Sequence, residues 1–211
     1  MKDMKNLKTQ IHDEEYNKIL KGEYSLSEII TEKFLMEKYG VSKAPIREAL
    51  TQLCSEKMLK SIPRCGYQLT QISMKELQDT LQLRAILELG AFDLYKDKID
   101  EDKINKLIEH VKVGKQLAKE REVSKHWFHN MDFHELLCSF SNNEALKNSL
   151  DETLVKCSRY AYQYFHLNWD AHKITDATTH QNFIKTLQNG KTEEAREMLK
   201  NDIMSFNDIF K

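Results

Sequence analysis

Apolar residues recur every three to four positions along most of this chain, the spacing that gathers them on one face of a helix. Ile11, Tyr16, Ile19 and Leu20 predict a first helix over residues 9–21, ended by Gly22. A second helix, opened by Ser27 or Thr31, carries Phe34, Leu35 and Met36 as far as Lys38. Gly40 then supplies the left-handed backbone that closes a helix. Ser42 stands where its hydroxyl can cap the next helix, and Pro45 falls in that helix's first turn, where a missing N–H costs little. Ile46, Leu50 and Leu53 point one way along this third helix, which reaches about Lys57. The period then changes. Leu59-Lys60-Ser61-Ile62 and Tyr67-Gln68-Leu69-Thr70 read as two extended pieces joined by the turn-rich Pro63-Arg64-Cys65-Gly66. Three helices and a hairpin predict a winged helix-turn-helix over residues 1–72.

From Ser73 onward the period is helical throughout. Ser73-Met74-Lys75-Glu76 reads as a capping box. The helix it opens carries Leu77, Leu81, Ala85, Leu87, Ala91 and Leu94 as its apolar set. Further helices are expected over residues 100–121, 124–140, 144–165, 169–187 and 192–210. Ser141-Asn142-Asn143 and Asn189-Gly190 serve as turns, and a second capping box is expected at Thr192. Six helices in residues 73–211 predict an all-α bundle, an architecture that builds ligand sites between its helices. The expected fold is thus mainly α, a winged helix followed by a six-helix bundle.

Composition narrows the class. The 211 residues are 40% hydrophobic and 31% charged, with only 6 glycines and 2 prolines, which favours helices over a β-sandwich. No run approaches the roughly 20 apolar residues of a membrane span. The N-terminal residues lead into no apolar stretch, so no secretory signal is expected. Cys54, Cys65, Cys138 and Cys157 form no CxxC pair and read as reduced thiols, so a cytoplasmic protein is expected. Net charge is −1, split as +2 over residues 1–72 and −3 over the rest. Bulk charge cannot carry DNA binding here. A few placed cations, used twice over by a homodimer, would have to.

Cations and a hydroxyl at the front of the third helix, namely Ser42, Lys43 and Arg47, are the marks of a DNA-reading helix. The run Gly40-Val41-Ser42-Lys43-Ala44-Pro45-Ile46-Arg47-Glu48-Ala49-Leu50, followed by Leu53, Leu59 and Gly66, resembles the signature of the GntR family of bacterial transcription regulators. The resemblance covers roughly residues 9–72. It implies that Lys33, Lys43 and Arg47 touch a double-stranded operator, that Ser42 bonds a phosphate or caps its helix, and that Gly66 lets the wing approach the minor groove. The family usually has arginine where Lys43 stands. Lysine keeps the charge but lacks the two-pronged guanidinium that reads guanine. The alternative for Lys33 and Lys43 is plain solvated charge.

Strings in the second part resemble the FCD-type ligand-binding domain that follows the winged helix in the FadR subfamily. They are Leu83-Arg84-Ala85-Ile86-Leu87-Glu88, Asn130-Met131-Asp132-Phe133-His134, His180 with Leu187-Gln188-Asn189-Gly190, and Glu194-Ala195-Arg196-Glu197-Met198-Leu199. The resemblance implies a divalent-metal site built from one aspartate and three histidines. Here those positions are Asn130, His134, His180 and Asp202, with Asp176 within reach one turn before His180. Imidazole and carboxylate suit Zn, Ni, Mn or Fe. Arg84 is implied to hold the carboxylate of a small effector, its alternative partner being Glu88 one turn on. Arg159, Tyr160, Tyr164 and Trp169 either shape that pocket or pack around it. His126, His129, His166 and His172 lack such a frame and are expected at the surface.

Three functions are consistent with these residues. The first is an effector-responsive regulator with a metal in the bundle and no covalent chemistry. The second is the same regulator with a metal-free pocket on His134, His180 and Arg84. The third is a metal-dependent hydrolase on His134, His180 and Asp202. The hydrolase has no general base or nucleophile beside its trio and leaves the DNA-reading helix without a role.

Overall fold

A computed structural model describes residues 2–120, 123–168 and 177–206. They form two compact units, Met1–Ser73 with Arg159–Asn168, and Met74–Ser158 with Trp169–Lys211.

In the first unit, α1 (Lys2–Leu20) packs on α3 (Lys43–Ser55), with α2 (Glu32–Tyr39) between them in sequence. Helix α1 begins well before residue 9, because Lys2–Lys8 contain no breaker. Thr31, not Ser27, caps α2, its hydroxyl accepting the Phe34 N–H at 3.1 Å. Gly40 closes α2 at φ 64°, the left-handed geometry expected of it. Strands β1 (Leu59–Ile62) and β2 (Gly66–Leu69) pair antiparallel, Leu59 opposite Leu69 and Ile62 opposite Gly66. Ile30 bridges to β2 as well, through two 2.8 Å bonds with Tyr67. Leu35, Ile46, Leu50, Leu53, Leu59 and Leu69 fill the core.

A buried carboxylate sits inside that core. The Glu15 carboxylate is buried and accepts from Lys38 Nζ at 2.6 Å, from Tyr39 Oη at 2.5 Å and from the Tyr24 hydroxyl. Burial pushes its pKa up, but the three donors more than offset this and hold it below the usual carboxylate range. Arg159 also belongs to this unit, donating to the carbonyls of Lys57 and Thr70 at 2.9 and 3.3 Å.

The second unit holds α4 (Met74–Tyr95), a short 3-10 turn at Lys96–Lys98, α5 (Glu101–Glu120), α6 (Val123–Ser139), most of α7 (Glu144–Asn168), α8 (Ala177–Gln188) and α9 (Thr192–Ser205). The stretch before α8, with Trp169 and Asp176, lies outside the described residues, as does the chain beyond Phe206. Lys191, not Thr192, occupies the cap position of α9, and no side chain caps it, so the second capping box does not form. Phe92, Tyr95, Leu107, Phe133, Phe183, Leu199 and Ile203 pack at the centre.

Helix α4 buries Leu77, Leu81 and Ala91 as expected, but its inward face is completed by Arg84 and Glu88 rather than by Leu87 and Leu94. Leu77, Leu81, Arg84, Glu88, Phe92 and Tyr95 are buried, whereas Leu94 is 55% exposed and Leu87 is half-buried. Two charged residues occupy core positions, so counting only apolar side chains rotates the predicted face.

Candidate functional site

At the front of α3, Ser42 sits exposed in extended backbone and its hydroxyl makes no capping bond, which leaves it free for a phosphate. Arg47 is exposed one turn later. Lys43 is paired with Glu32 at 2.8 Å, and Lys33 lies 3.8 Å from Glu37 with both side chains in solvent. Such surface pairs hold little energy and can exchange for a phosphate. An open groove of about 810 Å³ runs along the outer face of α3, lined by Arg47, Thr51, Gln52 and Ser55, with Lys8 of α1 on its rim. Lys8 escaped sequence reading because the first helix was expected to begin after it.

Gly66 stands at the start of β2 rather than at the wing tip. Its φ is 140°, and a Cβ there would lie 2.5 Å from the Ile30 carbonyl oxygen. The close approach of the Ile30 rung requires glycine at this position. The tip itself carries Arg64, exposed and in left-handed backbone at φ 64°.

Inside the bundle, the four positions expected to hold a metal lie on three helices. Asn130 and His134 are one turn apart on α6, His180 is on α8 and Asp202 on α9. Both imidazole Nε2 atoms meet one carboxylate oxygen, Asp202 Oδ2, at 3.4 Å from His134 and 3.3 Å from His180. Metal–ligand bonds of about 2.0–2.1 Å in a tetrahedral shell put neighbouring donors about 3.3–3.4 Å apart, so this spacing fits a divalent ion. Asn130 Oδ1 is buried with no hydrogen-bond partner among the described residues, as a waiting ligand would be. Asp176 falls outside the described residues.

A second layer orients the first. His134 Nδ1 lies 2.6 Å from Glu88 Oε2, and a neutral ring with its proton on Nδ1 would offer the Nε2 lone pair to an ion. The ring of His180 stacks on Phe133 at 3.7 Å and 10°. Arg84 is fully buried on α4 and its Nε donates to Glu88 Oε1 at 2.5 Å. The helix partner foreseen for Arg84 is thus in place, yet Nη2 remains buried without a partner among the described residues.

Electrostatics follow the geometry. Burial raises the Glu88 pKa, but the neighbouring Arg84 and His134 charges outweigh it and keep the carboxylate ionised. Burial likewise opposes ionisation of Asp202, and hydrogen bonds from His134 and His180 hold its pKa far below the usual range. Burial pulls His134 down, but the charge of Glu88 brings it above its ordinary value; His180, with no such carboxylate behind it, is lowered by burial.

Beside it lies a second group of histidines. His129 is half-buried rather than at the surface, its ring stacked on His110 at 3.8 Å and 11° and its Nε2–H donating to the His110 carbonyl at 2.9 Å. Gly114 makes room for it, since a Cβ there would meet His129 Nε2 at 2.8 Å. Asp132 completes a set whose donor atoms lie within 4.8 Å of one another. Parallel stacked rings direct their in-plane lone pairs side by side, however, so the two imidazoles cannot converge on one ion as arranged. Burial and the nearby His129 hold His110 neutral, with its pKa pushed down to about 4. Of the other histidines expected at the surface, His172 and the side chains of His126 and His166 lie outside what is described, as do the side chain of Tyr164 and all of Trp169.

A DNA-reading helix with a wing, together with a helical bundle that buries a metal-shaped cluster, matches known sequences in both parts. Residues 79–204 match the FCD domain, and residues 7–68 match the bacterial regulatory proteins of the gntR family. The chain belongs to the GntR family. This GntR protein is 32% identical over 143 residues to an uncharacterized HTH-type transcriptional regulator, YdhC, of Bacillus subtilis, a match that spans 67% of this chain and 64% of that protein. It is 26% identical over 202 residues to the gluconate operon transcriptional repressor of Bacillus licheniformis, spanning 91% of this chain and 79% of the repressor. Among solved structures, E. coli McbR/YncC superposes with a TM-score of 0.77 at 20% identity, over 97% of this chain and 96% of that one. A GntR regulator from Rhodococcus superposes at 0.78 with 17% identity, over 96% of each chain. These two share the fold. Both matched domains and the named relatives are those of transcription regulators, not of enzymes, so the hydrolase alternative falls.

Among this GntR protein's site residues, Glu88, Phe133 and His110 were missed as neighbours of the cluster. Glu88 reaches His134 across 46 residues of sequence. No local spacing announces such a pair.

Proposed function

We propose that this protein is a homodimeric repressor of the FadR type, working in the cytoplasm, whose operator affinity is set by a small carboxylate held in the bundle. The observation that carries the reading is the buried convergence of His134, His180 and Asp202, with Asn130 Oδ1 and Arg84 Nη2 both without a partner among the described residues. Among the described residues, no helix is long and apolar enough to cross a membrane.

His134, His180 and Asp202 would hold a divalent ion such as Zn, Ni, Mn or Fe, with Asn130 as a fourth donor. Such an ion supplies a Lewis-acid seat for one carboxylate oxygen of the effector. Arg84 Nη2 would take the other oxygen, its guanidinium kept ionised and aimed by Glu88. Glu88 also fixes the His134 tautomer. The effector can shift operator affinity only by as much as it binds one DNA-competence state better than the other. At the operator, Arg47, Lys43, Ser42 and Lys33 would contact the duplex, Arg47 reading bases and the lysines neutralising phosphates. The Glu88 charge that raises the His134 pKa favours a second reading, in which His134, His180 and Arg84 take the carboxylate without a metal.

A partner copy would settle on the outer face of α4. Leu83, Ile86 and Leu94 are 45%, 70% and 55% exposed there, about Gly90, which faces open space. A helix apolar on both faces lacks a solvent side. The two copies would place their α3 helices in half-sites about one helical turn apart. Selection of binding sequences from random DNA, followed by anisotropy titration with and without small carboxylic acids, tests the whole reading. A two-fold symmetric site whose affinity changes with one of the acids supports it. Asymmetric or undetectable binding overturns it.

A further inference from the structure

The groove along α3 holds three cations, Lys43, Arg47 and Lys8, which differ in place and in partner. Its α3 lining is one helical stripe that runs from Lys43 and Arg47 at the front to Gln52 and Ser55 at the rear, and Lys8 joins it from α1. One turn along α1 from Lys8, His12 lies 2.8 Å from Glu56, the residue just past the end of α3. That pairing sets the Lys8 stretch of α1 at the rear of the stripe. Lys43 is paired with Glu32. Lys8 is half-buried and has no acid partner among the described residues. Glu56 does not supply one, because Gln52 donates to one of its oxygens and His12 lies against the other. Glu48 also lines the groove and makes no ion pair there among the described residues. A cation at the rear of a DNA-reading helix is thus left open toward the groove.

An α-helix seated in the major groove, a channel about 12 Å wide, has a sugar–phosphate strand on each flank. At 1.5 Å per residue the stripe from Lys43 to Ser55 is about 18 Å long, enough to reach from one flank to the other. Cations at its front meet one strand, and a cation at its rear meets the second. An ammonium on a flexible stem is a point charge suited to a phosphate, whereas base edges favour a planar fork. We propose that Lys8 binds a phosphate of the strand opposite the one met by Lys43, so that α1 and the front of α3 grip both backbones of one half-site. This rests on the reading of α3 as the helix that enters the operator, and it adds a contact from outside the helix-turn-helix itself.

The test uses the full chain and the duplex recovered by selection from random DNA. Each neutralised phosphate adds about 0.9 to the steepness of log affinity against log salt. Lys8→Gln, present twice in a dimer, should lower that steepness by about 1.8, so that its affinity loss is about tenfold larger at 50 mM than at 200 mM salt. The loss should be the same on an unrelated duplex, because a phosphate carries no sequence. Lys8→Arg should restore the salt dependence, with the melting temperature of every variant matching that of the parent. Neutral methylphosphonates, placed singly along each strand, locate the contact. One position should weaken the parent but not Lys8→Gln, and it should lie on the strand opposite the position to which Lys43→Gln becomes indifferent. An unchanged salt dependence in Lys8→Gln, or coupling of both lysines to one strand, overturns the proposal. Arg47→Gln separates the two levels. If it weakens binding while Lys8→Gln does not, α3 remains the reading helix and the Lys8 contact alone is lost. If neither variant weakens binding, the α3 reading fails and this inference with it.

Discussion

Each unit buries a carboxylate at its centre, and the two are finished differently. Glu15 in the DNA-binding unit is a closed network, since Lys38, Tyr39 and Tyr24 all donate to it. In the bundle, the chain Arg84–Glu88–His134–Asp202–His180 runs through five buried charged or titratable side chains and stays open. Among the described residues, Arg84 Nη2, Asn130 Oδ1 and both nitrogens of His110 are left over. A network that satisfies itself stiffens a fold. One that ends in unsatisfied, inward groups stores binding capacity for something absent from the chain. The difference separates structural burial of charge from functional burial within one molecule.

Glu15→Ala attacks the closed network and should have the largest effect. It strands the buried Tyr24 hydroxyl and leaves the part-exposed Lys38 and Tyr39 without their shared acceptor, at a cost of about 3 kcal/mol. Hydrogen exchange should report the loss in α1 and α2, with the α5–α9 amides unaffected and zinc binding retained. Glu88→Gln attacks the open network. It keeps the size of the side chain but removes the charge that orients His134, and zinc affinity should fall about 10- to 100-fold by competition with a chelating dye. Thermal stability should change far less than in Glu15→Ala. The reverse ranking of these two variants would erase the distinction.

Gly66→Ala tests the rung between Ile30 and Tyr67. Backbone at φ 140° and a Cβ 2.5 Å from a carbonyl oxygen should destabilise the winged unit by about 1–3 kcal/mol, seen as a lower denaturant midpoint for its signals alone. The smallest effect is expected at His12, whose Nε2 lies 2.8 Å from Glu56 Oε2. Burial lowers its pKa, but the Asp13 and Glu56 carboxylates outweigh that and raise it above 6.5 in the folded state. The stabilisation is then fully present below the unfolded value and is lost as pH rises through the folded one. The winged unit should be slightly less stable at pH 8.5 than at pH 6, by under about 1 kcal/mol. In His12→Gln that difference should vanish.

Much of the winged unit was legible because its signals are local. Gly40 must be left-handed, Pro45 must sit in a first turn, and Ile46, Leu50 and Leu53 must share a face. The bundle was legible as helices but not as faces. On α4 the apolar count pointed to Leu87 and Leu94, while the core side is set by Arg84 and Glu88, charges that belong inside only because each has the other and His134. The positions of Asn130, His134, His180 and Asp202 came from a family resemblance. Spacing alone would not have joined residues from three helices. Glu15 and His110 were invisible for the same reason, as their partners or lack of partners exist only in three dimensions.

The most direct test of the open network is metal content. The chain is purified without chelator or metal-affinity tag, and elemental analysis is run beside Asp202→Ala. About one divalent ion per chain in the parent, lost in the variant, with small carboxylic acids raising the melting temperature of the metal-loaded parent only, is the predicted result. The same metal content in both proteins, or acids that stabilise the metal-free parent equally well, would contradict it.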